Sequence, residues 1–117
     1  MDHPRKKKLV ARLVASSIVL CSALASAAGI WTPWGRIATV LDYGSGAGVT
    51  GLNLSANPAG CGSTSMAYVN YDLTEDQRRR LTALIHAAFL SAKEVRVKLS
   101  DTKCIESYPA IYGVEVR

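Results

Sequence analysis

The sequence predicts one small β-rich α+β domain, residues 28–117, preceded by a signal peptide at residues 1–27. Two patterns indicate this fold. Five short segments alternate apolar and polar residues or are rich in β-branched residues, as strands are. A single segment between the third and fourth of them has the spacing of an amphipathic helix. The predicted order is therefore three strands, one helix and two strands.

The N-terminal segment has the three parts of a secretory signal. Residues 5–8 are all basic, residues 13–24 carry no charge, and small residues follow at positions 25–27. We expect cleavage after Ala27 or Ala28. The alternative is a retained membrane anchor, but a spanning helix needs about 20 apolar residues and this run is shorter. The mature chain is therefore expected to be secreted or periplasmic, without stable membrane insertion.

The helix is the most clearly marked element. Thr74 and Gln77 form the capping-box pattern, so the helix should begin after Thr74. Strands are predicted at residues 35–43, 49–55, 65–71, 95–99 and 110–116. The helix should bury one stripe made of Leu81, Leu84, Ile85, Ala88, Phe89 and Ala92. In the fourth strand Val95, Val97 and Leu99 should point inward, with Arg96 and Lys98 outward.

This order of elements is that of an OB-fold, a five-stranded Greek-key barrel with its helix between the third and fourth strands. Short Gly-rich links between the first three strands agree with it. An open α+β sheet with the same order is the structural alternative.

Two cysteines, Cys61 and Cys104, remain after signal cleavage, and we expect them to form a disulfide because exported chains meet an oxidising compartment. Closing a loop of about 44 residues removes unfolded-state entropy worth about 4 kcal/mol. A metal pair or a catalytic thiol is the alternative. A metal would need more ligands than His86 supplies, so no metal site is predicted.

The charge of the mature part is close to balanced. The whole chain has a net charge of +5, but residues 28–117 contain nine basic and eight acidic side chains. Nucleic-acid binding would need a basic face in the folded domain, so the composition gives no reason to expect it.

The C-terminal half also carries a family resemblance. Residues 73–77 (LTEDQ), 87–93 (AAFLSAK) and 95–99 (VRVKL), followed by Cys104, resemble the B subunits of subtilase-cytotoxin and pertussis-like toxins and small secreted bacterial proteins related to them. As a pattern, the resemblance covers about residues 35–117. It implies an OB-fold, binding of a glycan or protein rather than catalysis, and a homo-oligomer such as a ring of five subunits.

Five residues are the best candidates for ligand contact: Trp31, Trp34, Asp42, Tyr43 and Tyr108. All lie near predicted strand ends or in loops, and aromatic faces with a nearby carboxylate suit the mixed apolar and hydroxyl surface of a sugar. The alternative is structural: the tryptophans clamp the N-terminus onto the barrel and the tyrosines fill its interior.

Catalysis is not expected, because His86 is the only histidine of the mature part and no nucleophile has an evident base and orienting group. Residues 46–51 spell G-x-G-x-x-G, but no helix follows, so they are predicted to be a hairpin link and no cofactor is expected. The sequence thus favours an exported, non-catalytic binding module. A small envelope or periplasmic structural protein, or an inhibitor, is the alternative, and an enzyme the third.

Overall fold

The computed structural model describes residues 29–42 and 46–117. The predicted signal peptide and the candidate Tyr43 lie outside this part of the chain. The described residues form one helix and a single sheet of seven strands, in a β-rich α+β fold. The elements are β1 (Ile30–Trp31), β2 (Gly35–Arg36), β3 (Thr39–Asp42), β4 (Ala47–Thr50), β5 (Ala67–Val69), α1 (Glu75–Leu90), β6 (Glu94–Ile105) and β7 (Tyr108–Val116).

The strands are hydrogen-bonded in the order β1-β6-β7-β5-β4-β3, and β2 also pairs with β6. All pairs are antiparallel except β5 and β7, which are parallel. The segment from β1 to β3 therefore supplies the strands at both ends of this order. Its first part pairs with β6 through β1 and β2, and its last part pairs with β4 through β3.

Helix α1 begins as the sequence predicts. The Thr74 hydroxyl accepts a hydrogen bond from the Gln77 backbone N–H, and the Gln77 side chain accepts one from the Thr74 N–H. Glu75 and Asp76 occupy the first turn, where they stabilise the positive end of the helix dipole. The helix ends at Leu90, and Ala92 then takes a left-handed conformation with φ of 53°.

The main core lies between α1 and the inner face of the sheet. The inward positions of β6, Val95, Val97 and Leu99, are fully buried, as predicted. They pack in one cluster with Ile85 and Ala88 of the helix and with other buried apolar residues of the sheet. A smaller second cluster contains Tyr68, Ile105 and Ala110.

The predicted helix stripe is wrong at its edges. Leu84 and Phe89 are 40% and 39% exposed, and Ala92 is exposed as well. Successive helix residues are rotated by 100° about the axis, so the apolar residues of this segment cover a broad arc of the helix surface. The sequence alone does not show which part of that arc packs against the sheet. The helix is rotated so that Ile85 and Ala88 lie at the centre of the contact and Leu84 and Phe89 flank it.

The predicted second strand is also wrong in its bounds. It occupies Ala47–Thr50 rather than residues 49–55, so the middle four residues of the G-x-G-x-x-G segment are strand rather than turn. Gly51, with φ of 93°, ends it. Leu52 and Leu54 lie in the loop that follows, and both are buried. Because buried and exposed residues alternate there, the sequence pattern resembles that of a strand.

The other strands keep their predicted order with altered lengths. The first is divided into β2 and β3, and the third is shorter, at Ala67–Val69. The fourth extends to Ile105, and the fifth begins at Tyr108, so the two form a long hairpin. Strand β1 was not predicted; two residues are too few for a period to be read from sequence.

The predicted disulfide is confirmed. It joins Cys61, in the loop before β5, to Cys104 near the end of β6, with their Cα atoms 5.7 Å apart. The Asn57 side chain fixes this loop, donating to the Cys61 carbonyl and accepting from its N–H, both at 2.8 Å. Within residues 29–42 and 46–117, no helix has the length and apolar character needed to cross a membrane.

Candidate functional site

Trp31 and Trp34 lie on the outer face of the sheet, over β6. The guanidinium carbon of Arg96 lies 4.9 Å from the centre of the Trp31 ring and 5.1 Å from that of Trp34. Arg96 therefore contacts both indoles at cation–π distance. Both indoles are only half-buried, so this arrangement is open to solvent.

The same alternation continues on both sides of Arg96. The Arg117 guanidinium lies 4.4 Å from the Trp34 ring centre. The Lys98 ammonium lies 5.9 Å from the Trp31 ring centre and 5.5 Å from that of Tyr112. We call this alternating series of three cations and three rings the cation–aromatic ladder: Arg117, Trp34, Arg96, Trp31, Lys98 and Tyr112.

The segment that carries the tryptophans is fixed to β6 by its backbone. Thr32, between them, is buried; its N–H donates to the Val97 carbonyl at 2.9 Å. Its hydroxyl accepts from the Val97 N–H at 3.0 Å. Gly113 supplies the floor beneath Trp31, since a Cβ there would lie 3.3 Å from the indole. These contacts give the tryptophans a defined position before any ligand arrives.

The charges along the ladder are unevenly paired. Arg96 forms an ion pair with Glu115 at 2.8 Å, and Arg117 forms one with Glu94 at 3.5 Å. Lys98 has no carboxylate within ion-pair distance among the residues that the structure describes. It is therefore the ladder cation whose charge is available to a ligand.

Tyr112 connects the ladder to a groove. The groove has a volume of about 170 Å³ and lies between the start of α1 and β7. Its lining is mostly apolar and consists of Leu73, Gln77, Arg80, Leu81 and Tyr112. Burial, and secondly the negative charge of Asp101, raises the pKa of Tyr112 above the usual 10.0. The Tyr112 hydroxyl is therefore protonated at neutral pH and can donate a hydrogen bond.

The remaining candidates from the sequence lie elsewhere. Tyr108 begins β7 and packs against Tyr68, with ring centres 5.6 Å apart. It is five residues, or about 15 Å, along β7 from Gly113, which faces Lys98 and lies beneath Trp31. The five predicted contact residues thus do not form one cluster.

Asp42 is at the far end of the sheet order, on β3. Its Oδ2 lies 3.5 Å from Nε2 of His86, which is half-exposed on the flank of α1. Tyr43 is outside the described residues, and of the four described candidates only Trp31 and Trp34 are brought together by the fold.

Four ladder members, Arg96, Lys98, Tyr112 and Arg117, were missed as candidate site residues. The alternation of β6 placed Arg96 and Lys98 on the outer face, which is where they lie. The sequence does not show that β1 pairs with β6 with Trp31 opposite Lys98. This register brings the indoles over these cations. No spacing rule within one segment could have supplied that register.

The site offers cations, ring edges and hydrogen-bond donors. Both cysteines of residues 29–117 are joined in the disulfide. Across residues 29–42 and 46–117, no three His, Cys, Asp or Glu side chains are grouped to hold a metal ion.

Comparison with known proteins found no matching family model, no matching curated protein and no matching solved structure. The resemblance to toxin B subunits therefore stays a hypothesis.

Proposed function

We propose that the mature chain is an exported, non-catalytic binding module that binds a protein partner through the cation–aromatic ladder. The observation that carries this proposal is the fixed, solvent-open arrangement in which Arg96 contacts the rings of both Trp31 and Trp34. Arginine, tryptophan and tyrosine are the residues that contribute most to protein–protein binding energy. Their positions are set in advance by β-sheet pairing, which lowers the entropy lost on binding.

A protein fits this face better than a sugar does. Sugar C–H groups need the flat face of an aromatic ring, and here cations lie 4.4 to 5.9 Å from the ring centres. A sugar would have to displace a guanidinium or an ammonium to stack. A protein partner can use the ring edges and the N–H groups of the cations without disturbing the ladder.

We also propose that the sheet is an OB-fold-like barrel. The segment from β1 to β3 pairs with β6 at its start and with β4 at its end. This continuous segment supports the proposal that the seven-stranded sheet curves into a barrel. When the two-residue strands β1 and β2 are set aside, the helix lies between the third and fourth strands, β5 and β6, as in that fold. Export is supported by the signal-like pattern of residues 1–27 and by the disulfide, which persists in oxidising compartments.

Photocrosslinking tests the binding face. A photoreactive phenylalanine analogue replaces Arg117, at the open end of the ladder. The full-length precursor that carries this analogue is expressed in the native host cells of the protein. Arg79, on the exposed face of α1, carries the same analogue as the matched control. We expect a discrete adduct of higher mass from position 117 and none from position 79.

The adducts separate the alternatives. A band of twice the chain mass would identify the partner as a second copy. Equal adducts from both positions, or none from position 117, would contradict the proposed face. If the purified mature domain instead binds neutral glycans on an array, and Trp34→Ala abolishes that binding, the ligand is a sugar and the assignment to a protein is wrong.

A further inference from the structure

The groove beside Tyr112 has the size of a site for one side chain. Sites for free small molecules usually enclose about 300–1,000 Å³, whereas this groove has about 170 Å³. Two leucines and the tyrosine ring supply most of its wall, and its opening is to solvent. A single bulky apolar side chain, presented by a larger molecule, is the occupant that this volume and lining accept.

The charges around Tyr112 differ between the Lys98 side of its ring and its hydroxyl end. On the ladder side, the Lys98 ammonium lies 5.5 Å from the ring centre without a carboxylate partner among the described residues. At the hydroxyl end, Asp101 is close enough to affect the titration of Tyr112. Arg80, on the rim, is already paired with Asp76 at 2.7 Å. A carboxylate is therefore attracted on the Lys98 side of the ring and repelled at its hydroxyl end.

We propose that the groove and Lys98 together recognise a short acidic peptide segment, with a bulky apolar residue in the groove and an Asp or Glu carboxylate at Lys98. This inference rests on the proposed function, because it names the chemistry of the partner that the ladder binds. Tyr112 lines the groove, and its ring centre lies 5.5 Å from the Lys98 ammonium, so the two contacts are adjacent to the same side chain.

The distance between the two contacts sets the spacing in the peptide. Residues of an extended chain advance about 3.3 Å each, and neighbouring side chains point to opposite faces. The Lys98 ammonium lies 5.5 Å from the centre of the Tyr112 ring, and an apolar side chain in the groove packs against that ring, so the two contacts are at least two residues of an extended chain apart. The expected motif is therefore an apolar residue with an acidic residue two or four positions away, on the same face of the extended peptide.

Selection from a random linear peptide library displayed on phage tests this motif. The probe is immobilised mature domain, residues 28–117, with its disulfide intact. We expect enrichment of Leu, Ile, Phe or Trp two or four positions from Asp or Glu. Titration of an enriched peptide into isotope-labelled domain should move the amide NMR signals of Leu73, Gln77, Leu81 and Tyr112.

Variants separate the two contacts without disturbing the core. Lys98→Gln should weaken binding of the enriched peptide at least about fivefold, because it removes the attraction at short range. Lys93→Gln, an exposed lysine just past the end of α1, is the matched control and should leave affinity unchanged. On the peptide, replacing the apolar residue with Ala should reduce binding about tenfold or more.

Enriched peptides without the paired apolar and acidic residues would overturn the inference, as would unchanged affinity in Lys98→Gln. Signals that move only at Trp31 and Trp34 would contradict the groove while the ladder remained the binding face. Failure of the library to yield any binder also counts against a peptide ligand. The photocrosslink from position 117 is independent of this outcome, so failure of the inference and failure of the proposed function remain distinguishable.

Discussion

Arg96→Met removes the central cation of the ladder while it keeps an apolar stem of similar length. Arg96 contacts two indoles, at 4.9 and 5.1 Å, and forms an ion pair with Glu115. Each cation–π contact at a partly exposed site is worth about 0.5–1 kcal/mol. The ion pair is also partly exposed, and screening by solvent limits it to about 0.5 kcal/mol. Together these contacts predict a loss of about 1.5–2.5 kcal/mol in the free energy of unfolding.

Urea unfolding followed by circular dichroism measures this loss, and an unchanged dependence on urea concentration would show that the denatured state is unaffected. Arg79→Met is the control, since among the described residues Arg79 forms its ion pair with the exposed Glu75 one turn earlier. It should cost under about 0.5 kcal/mol. Quenching of tryptophan fluorescence by acrylamide gives a second readout, and it should increase in Arg96→Met because both indoles lose a covering group.

The reasoning would be refuted if Arg96→Met and Arg79→Met had equal small effects and the quenching did not change. Arg96 would then be a solvated surface residue, and the indoles would be held by the backbone of residues 30–36 alone. Glu115→Gln distinguishes the two parts of the estimate, because it removes the ion pair and keeps both cation–π contacts.

Three further predictions concern the core, the disulfide and the titration of Tyr112. Ile85→Ala, at a fully buried position, should cost about 2–5 kcal/mol in urea unfolding, whereas Leu90→Ala, 81% exposed, should cost under about 0.5; equal losses would mean that α1 does not pack on the sheet through Ile85. Thiol titration of the unfolded, unreduced mature protein should find no free cysteine, and two free thiols would contradict the disulfide. Because Tyr112 has a raised pKa in the folded state, its contribution to stability is complete below about pH 10 and is lost as pH rises through the folded pKa; ultraviolet titration should find late ionisation of Tyr112, which moves to lower pH in Asp101→Asn.

The elements that were predicted well depend on neighbours in the chain. The start of α1 follows from Thr74 and Gln77, three residues apart, because a capping box is closed within one turn. The buried face of β6 follows from alternation within the strand. The second strand failed for the opposite reason. Leu52 and Leu54 alternate like strand residues, but the conformation of Gly51 ends the strand before them.

The candidate site was predicted only in part. Trp31 and Trp34 were recognised by type and position, and they are the two that the structure brings together. Tyr108 and Asp42 were chosen by the same criterion of lying near a strand end. That criterion does not say which strand ends meet, since this depends on the order of strands in the sheet.

The sequence by itself determined the helix start, the inward face of β6 and the cysteine pair, since each is specified by local spacing or by the absence of another partner. The tertiary structure alone decided the rotation of α1 and the composition of the ladder. Thr32 and Val97, whose hydrogen bonds place the tryptophans over Arg96, are 65 residues apart. A contact over that separation forms only when β1 has paired with β6 in the folded sheet, because its energy depends on the register of strands that carry no local signal for one another.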